Sequence, residues 1–277
     1  MSTFSLMGVV NVTPDSFSDG GRFLEAHAAI AHGLALASEG ADVVDVGGES
    51  TRPGAEPVGE AEERRRVLPV IEGLVAGGAR VSIDTSKAAV ASEALDAGAG
   101  LVNDVTALRG DPAMAELVAE RGVECCLMHM LGDPRTMQRA PAYDDVVDDV
   151  RAFLEERLAF AVSRGIDERR VLLDPGIGFG KTVEHNLTLL RRLDEIVAIG
   201  RPVVIGTSRK SFLGTIARDA PVDARLPGTI ATNVLALERG ASVFRVHDVA
   251  PVHDALEVAA ATLTGRWTRS RPRTPTS

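Results

Sequence analysis

Arg245 and His247 stand two residues apart in the stretch VFRVHDV, residues 243–249. If this apolar run is a strand, both side chains share one face, while Phe244 and Val246 take the other. Two potential cations side by side invite an anion. The chain as a whole carries a formal net charge of −9, so an anionic ligand would need a local basic pocket, and a broad basic surface for nucleic acid is excluded.

Polar groups recur at the ends of other apolar runs. Reading each run to its end gives Asn11, Asp45, Asp84, Asn103, Met128 with His129, Asp174, and Thr207 followed by Ser208-Arg209-Lys210. Any one of them has an ordinary explanation, because Asp and Asn terminate strands and cap helices. Asp45 alone reads that way, and Asp84 could share a capping role with Thr85 and Ser86. Eight such ends on one rim read differently, because buried carboxylates are costly unless paired or hydrogen-bonded. Phase agrees: Asp84 shares a face with Ser82, Asn103 with Leu101 and Asp174 with Leu172.

The elements that must position these groups alternate. Strands are predicted over 4–12, 42–47, 80–84, 101–105, 123–129, 171–174, 202–206 and 243–247, from β-branched and apolar runs. Helices are predicted between and after them, over 25–39, 60–76, 87–97, 112–121, 144–164, 184–198, 227–239 and 250–263. Ser86 and Asp111-Pro112 are start signals, and Gly40, Gly98, Gly122, Gly165, Gly200 and Gly240 are stops. An eightfold strand–helix alternation in 277 residues is what a (β/α)8 TIM barrel requires, with an open doubly wound sheet as the other fold of this pattern. In a barrel the strand ends form one rim, where sites of this fold lie. No linker or composition shift divides the chain, so we expect a single α/β domain over 1–264. The basic, Pro/Ser/Thr-rich end 265–277 is expected to be a disordered tail.

Other sites are not indicated. The run PGIGFGKT is not a Walker loop, because Pro175 stands where that pattern needs Gly, and no G-x-G-x-x-G order is present. The two cysteines, Cys125 and Cys126, are adjacent in an apolar run and read as reduced, buried thiols. His27, His32, His185 and His253 fall in helical segments at no metal-ligand spacing and read as solvated surface residues. With no long apolar span and no charged leader, a cytoplasmic protein without membrane association is expected.

Several stretches together carry a resemblance: MGVVNVTPDSFSDGG, VDVGGESTRPGA, SIDTSK, NDV, MHM followed by GDPRTMQ, LLDPGIGFGKTVEHN, GTSRKSFLG and RVHDV. In this order, from residue 6 to about 263, the chain resembles the dihydropteroate synthase family. NDV carries little weight alone, whereas NVTPDSFSDGG and GGESTRPG are specific. The resemblance implies a TIM barrel, usually a homodimer, joining (7,8-dihydropterin-6-yl)methyl diphosphate to 4-aminobenzoate with release of diphosphate.

Residue by residue, the resemblance makes Asp84, Asn103, Asp174 and Lys210 the pterin-binding groups, with Met128 and Phe179 as apolar walls. Asn11 matches the family's Mg²⁺ ligand, a single protein donor for an ion that keeps waters and substrate phosphates. Arg245 and His247 would grip the diphosphate as paired donors. Thr51, Arg52 and Pro53, with Lys210 and Ser211, match the positions that receive the aminobenzoate. In the loop PDSFSDGG, Asp15 would lie near the developing cation and Phe17 beside the incoming ring. Thr106 stands where small residues such as serine are common. Two other functions fit such a barrel: a noncatalytic pterin-binding paralogue, and a corrinoid-linked methyltransferase domain, which would be expected to lack PDSFSDGG and SRK.

Overall fold

The computed structural model describes residues 4–13, 21–50 and 54–267, with the backbone alone over 21–24. Its eight strands are β1 (Ser5–Asn11), β2 (Val43–Gly47), β3 (Val81–Asp84), β4 (Leu101–Asp104), β5 (Glu124–Met128), β6 (Val171–Asp174), β7 (Val204–Ile205) and β8 (Val243–Val246). Its helices are α1 (Gly21–Glu39), α2 (Glu60–Ala76), α3 (Ala88–Asp96), α4 (Met114–Arg121), α5 (Val146–Ser163), α6 (Val183–Arg191), α7 (Leu193–Val197), α8 (Ser211–Ile216), α9 (Leu226–Glu238) and α10 (Val249–Thr264).

All strand pairs are parallel, in the order β6-β5-β4-β3-β2-β1-β8-β7. The ring closes through a parallel bridge between Leu173 and Val203, with the Leu173 N–H donating to the Pro202 carbonyl at 2.9 Å. Closure excludes the open sheet: no strand edge is left between β6 and β7.

Alternation along the strands sorts two cores. Inside the barrel, Met7, Val43, Leu101, Cys126, Leu172, Val204 and Val243 form one buried plug. The opposite faces, among them Leu6, Val44, Ile83, Val102, Leu127, Leu173 and Phe244, pack against the surrounding helices. The adjacent cysteines therefore part company, Cys126 inward and Cys125 outward, both free and buried. Burial pushes the Cys125 thiol up to about 12 and Cys126 in the same direction, which keeps both as inert thiols.

The six glycine stops all adopt positive φ. At Gly122, φ is 58° and the N–H donates to the Val118 carbonyl at 3.0 Å, closing the last turn of α4.

Some local readings need correction. The segment 184–198 is two helices, because Arg192 leaves the helical basin at φ −109°, ψ 29°. Its guanidinium instead ties Glu195 and Asp145, each at 2.7 Å. Helix α8 is an addition, too short for a periodic pattern to reveal. Ser86 does not cap α3. Asp111 does, accepting from the Ala88 N–H at 2.9 Å through one carboxylate oxygen while the other accepts from Ala113, also at 2.9 Å. Two histidines are structural and half-buried: His185 completes a capping box with Thr182 and stands edge-on to Tyr143, and His253 stands edge-on to Phe4. His27 and His32 are exposed. Of the tail, only residues to Trp267 are described.

Candidate active site

The strands carry their inward-facing polar residues one step beyond the apolar plug, at their C-terminal ends. Asp45 follows Val43, Asn103 follows Leu101, Asp174 follows Leu172 and Arg245 follows Val243, each two residues on and on the same face. The register sets neighbours level, pairing Asp45 with Ser82, Asp84 with Asn103, and Met128 with Asp174.

Arg245 organises this mouth. Its Nε donates to Asp45 Oδ2 at 2.6 Å and its Nη2 to Asp84 Oδ2 at 2.8 Å. Asp45, fully buried, also accepts from Ser82 Oγ at 2.5 Å and Asn103 Nδ2 at 3.0 Å. A carboxylate there is tolerated because three donors meet it. Asp45 is thus more than a strand terminator: it fixes the rotamers of two proposed ligand contacts, which strand-end composition alone could not reveal. Arg245 and His247 do not oppose each other as bare cations, since the carboxylates hold Arg245 and Ser208 Oγ lies 3.0 Å from His247 Nδ1. Asp248 turns away from both and pairs with Arg209.

Burial raises the Asp84 carboxyl to about 7; the attraction of Arg245 opposes this but is outweighed, with Asp45, Glu63 and Asp104 adding repulsion. Asp174 is raised for the same first reason, partly offset by Lys210 and by the Gly176 N–H donating at 2.6 Å. Lys210 is lowered to about 8 by burial, with Arg245 adding to the shift and Asp174 resisting it.

Lys210 donates to the Ile177 carbonyl and lies 4.6 Å from the Phe179 ring centroid. Phe179 packs on the apolar cluster of Val105, Met128, Met130 and Met137. The loop carrying Ile177 and Phe179 needs glycine at Gly176, where φ is 65° and a Cβ would collide with the His129 carbonyl. Beneath it a pair the sequence reading passed over fastens the loop: buried Lys181 lies 2.9 Å from His129 Nδ1 and donates to the Phe179 carbonyl at 3.0 Å.

Asn11 ends β1 on the inward face, half-buried and level with Gly47. Ser211 opens α8 with its side chain exposed. Asp15, Phe17, Thr51, Arg52 and Pro53 lie outside the described residues. The described rim thus joins carboxylates, an amide and two cations beside an apolar wall. Such a set can hold a flat heterocycle with both donors and acceptors, and an anion beside it. Among the described residues no group of three or more His, Cys, Asp or Glu could hold a metal ion.

Residues 7–247 match the family model described as pterin binding enzyme. Dihydropteroate synthase of Mycobacterium leprae is 48% identical, covering 99% of this chain and 96% of its own, and that of Haemophilus influenzae is 45% identical, covering 95% of each. Among solved structures, Xanthomonas albilineans dihydropteroate synthase with 4-aminobenzoic acid superposes with a TM-score of 0.88 at 51% identity, over 93% of this chain and 92% of that one. The same species' enzyme with 7,8-dihydropteroate gives 0.86 at 47% identity, over 95% of both. A barrel closed around this polar mouth, matched across nearly its whole length by such relatives, belongs to the dihydropteroate synthase family of pterin binding enzymes.

Proposed function

We propose that this mouth joins (7,8-dihydropterin-6-yl)methyl diphosphate to 4-aminobenzoate, giving 7,8-dihydropteroate and diphosphate, as an alkyl transferase of folate synthesis. The convergence of Asp84, Asn103, Asp174, Lys210 and Arg245 above a dry apolar plug carries this reading. Asp84, Asn103 and Asp174 take the pterin's N–H groups, Lys210 donates to its carbonyl, and Met128 and Phe179 bound its faces. The methylene C–O bond breaks with its electron pair leaving on diphosphate, the arylamine nitrogen forms the C–N bond, and that nitrogen loses a proton. Arg245 and His247 receive the diphosphate charge. An arylamine is nucleophilic as it stands, so the residues' work is to orient, neutralise and exclude water.

A single amide oxygen on Asn11, with no acidic cage around it, suits a hard ion that keeps its waters and shares substrate phosphates, which fits Mg²⁺. When bound there, Mg²⁺ would supply further neutralisation of the diphosphate. Asp15 and Phe17, Thr51 and Arg52, and Ser211 complete the proposal as contacts of the developing cation, the arylamine ring and its carboxylate.

A homodimer is part of the same proposal, supported by the exposed apolar residues Leu235, Val258 and Leu263 beside a groove between α9 and α10. So is a cytoplasmic location, supported by two free, buried cysteines. Among the described residues no helix is long and apolar enough to cross a membrane.

The test is a two-substrate assay with and without Mg²⁺, comparing wild type with Arg245→Ala. Lost turnover and weakened binding of the pterin diphosphate are expected. Unchanged binding would overturn the role of Arg245, and calorimetric pterin diphosphate binding by wild type without product would favour a noncatalytic binding protein.

A further inference from the structure

The motif GDPRTMQ, residues 132–138, takes no part in the chemistry proposed above. It follows β5 and folds into one tight turn. Asp133 and Pro134 are residue types that open such turns. Asp133 Oδ1 accepts from the N–H groups of Arg135 at 2.9 Å and Thr136 at 3.1 Å, and its carbonyl accepts from the Met137 N–H at 2.8 Å. The turn sends successive side chains to different surroundings: Met137 is buried in the apolar cluster on which Phe179 packs, and Gln138 is exposed. Yet Gln138 Nε2 donates to the Gly178 carbonyl at 2.7 Å, across 40 residues of sequence.

Gly178 is the pivot of the loop that carries Phe179. Its φ of 85° is a conformation that glycine enters readily and other residues do not, and a Cβ there would come within 3.0 Å of Lys210 Cδ. Its two neighbours make the Lys210 contacts, Ile177 through its carbonyl and Phe179 through its ring. A glycine has no side chain to fix such a pivot, so its partners must. The Gly178 N–H donates to Asn186 Oδ1 at 2.7 Å, and its carbonyl takes Gln138. The next two carbonyls are held as well, that of Phe179 by Lys181 at 3.0 Å and that of Gly180 by the Tyr143 hydroxyl at 2.7 Å. Lys181 is buried, and Tyr143 is half-buried against the rings of His129 and His185, so both also serve packing. Gln138 does not. Water would replace its amide on the Gly178 carbonyl at little cost in stability, but without fixing a direction.

We infer that Gln138 is a positioning residue for the pterin: by holding the Gly178 carbonyl it sets the Phe179 ring against the Lys210 ammonium before the ligand arrives. This rests on the pterin role proposed above for Phe179 and Lys210. Gln138 acts through Phe179 rather than by touching substrate, and it reduces the ordering that the loop must undergo on binding.

Calorimetric titration with the pterin diphosphate, with Mg²⁺ present and 4-aminobenzoate absent, tests it on wild type, Gln138→Ala, Phe179→Ala and the double variant. Gln138→Ala should weaken binding about fivefold at an unchanged melting temperature. Phe179→Ala should weaken it further, and adding Gln138→Ala to that background should alter binding by less than about twofold, because the ring that Gln138 positions is gone. Unchanged binding in Gln138→Ala, the same fivefold loss on both backgrounds, or a melting temperature that falls in step with affinity would each overturn the inference. Phe179→Ala binding like wild type would remove Phe179 from the pterin site and the inference with it. Wild type that binds no pterin diphosphate would defeat the underlying reading of the mouth, a result distinct from the others.

Discussion

Val43 and Asp45 point into the same barrel interior from the same strand, as do Leu101 and Asn103, Leu172 and Asp174, and Val243 and Arg245. The lower member of each pair lies in a plug that excludes water; the upper member lies in a mouth where three carboxylates (Asp45, Asp84, Asp174) face two cations (Arg245, Lys210). A rise of two residues along a strand is roughly 6.5 Å, and within it the barrel changes from a folding device to a recognition device. The plug favours the mouth indirectly. Its apolar floor strips water from the charges above it, and desolvation heads the causes that move Asp84, Asp174 and Lys210 from their ordinary ionisation ranges.

The division can be broken from either side. The largest effect is expected from Lys210→Ala in the mouth: dihydropteroate formation should fall by about a thousandfold, with the melting temperature nearly unchanged because a half-buried cation has been removed with no core volume lost to the plug. Calorimetric melting beside the two-substrate assay checks both halves, and retained turnover at near the wild-type rate would defeat the assignment. Next is Leu101→Ala in the plug, which should cost about 3 kcal/mol of stability in urea unfolding. Its folded fraction should keep its turnover, so a large kinetic defect in folded protein would show that plug and mouth are not separable.

A smaller effect sharpens the boundary between the layers. The Asp84 carboxyl is raised from 3.8 to about 7 in the folded barrel, so the folded state holds this proton more tightly than the unfolded chain. The stability this brings is complete below pH 3.8 and is lost as pH rises through about 7. Asp84→Asn should therefore flatten the dependence of melting temperature on pH across that window. An unaltered slope would place the titrating group elsewhere.

Much of this was legible without coordinates. The strand ends could be read from apolar runs that stop at Asn11, Asp84, Asn103 and Asp174, because period-two alternation fixes which residues share a face. The glycine stops held for a local reason, since a left-handed residue after a helix needs no information from elsewhere. Other features were out of reach. Asp111 caps a helix that starts 23 residues earlier, and Asp45 meets a guanidinium 200 residues away. His129 and Lys181 each fall in a recognisable motif, but nothing in the sequence pairs them across a separation of 52 residues.

By itself, the sequence determined the alternation of elements, which residues of each strand share a face with its polar end, and the family to which these motifs point, all consequences of local geometry and residue type; that the shared face is the inward one came from the closed barrel. Only the tertiary structure decided that the sheet closes between Leu173 and Val203 and that Arg245 is held by Asp45 and Asp84. Those are choices among distant partners, made by ring closure and by the cost of leaving a buried charge unmet.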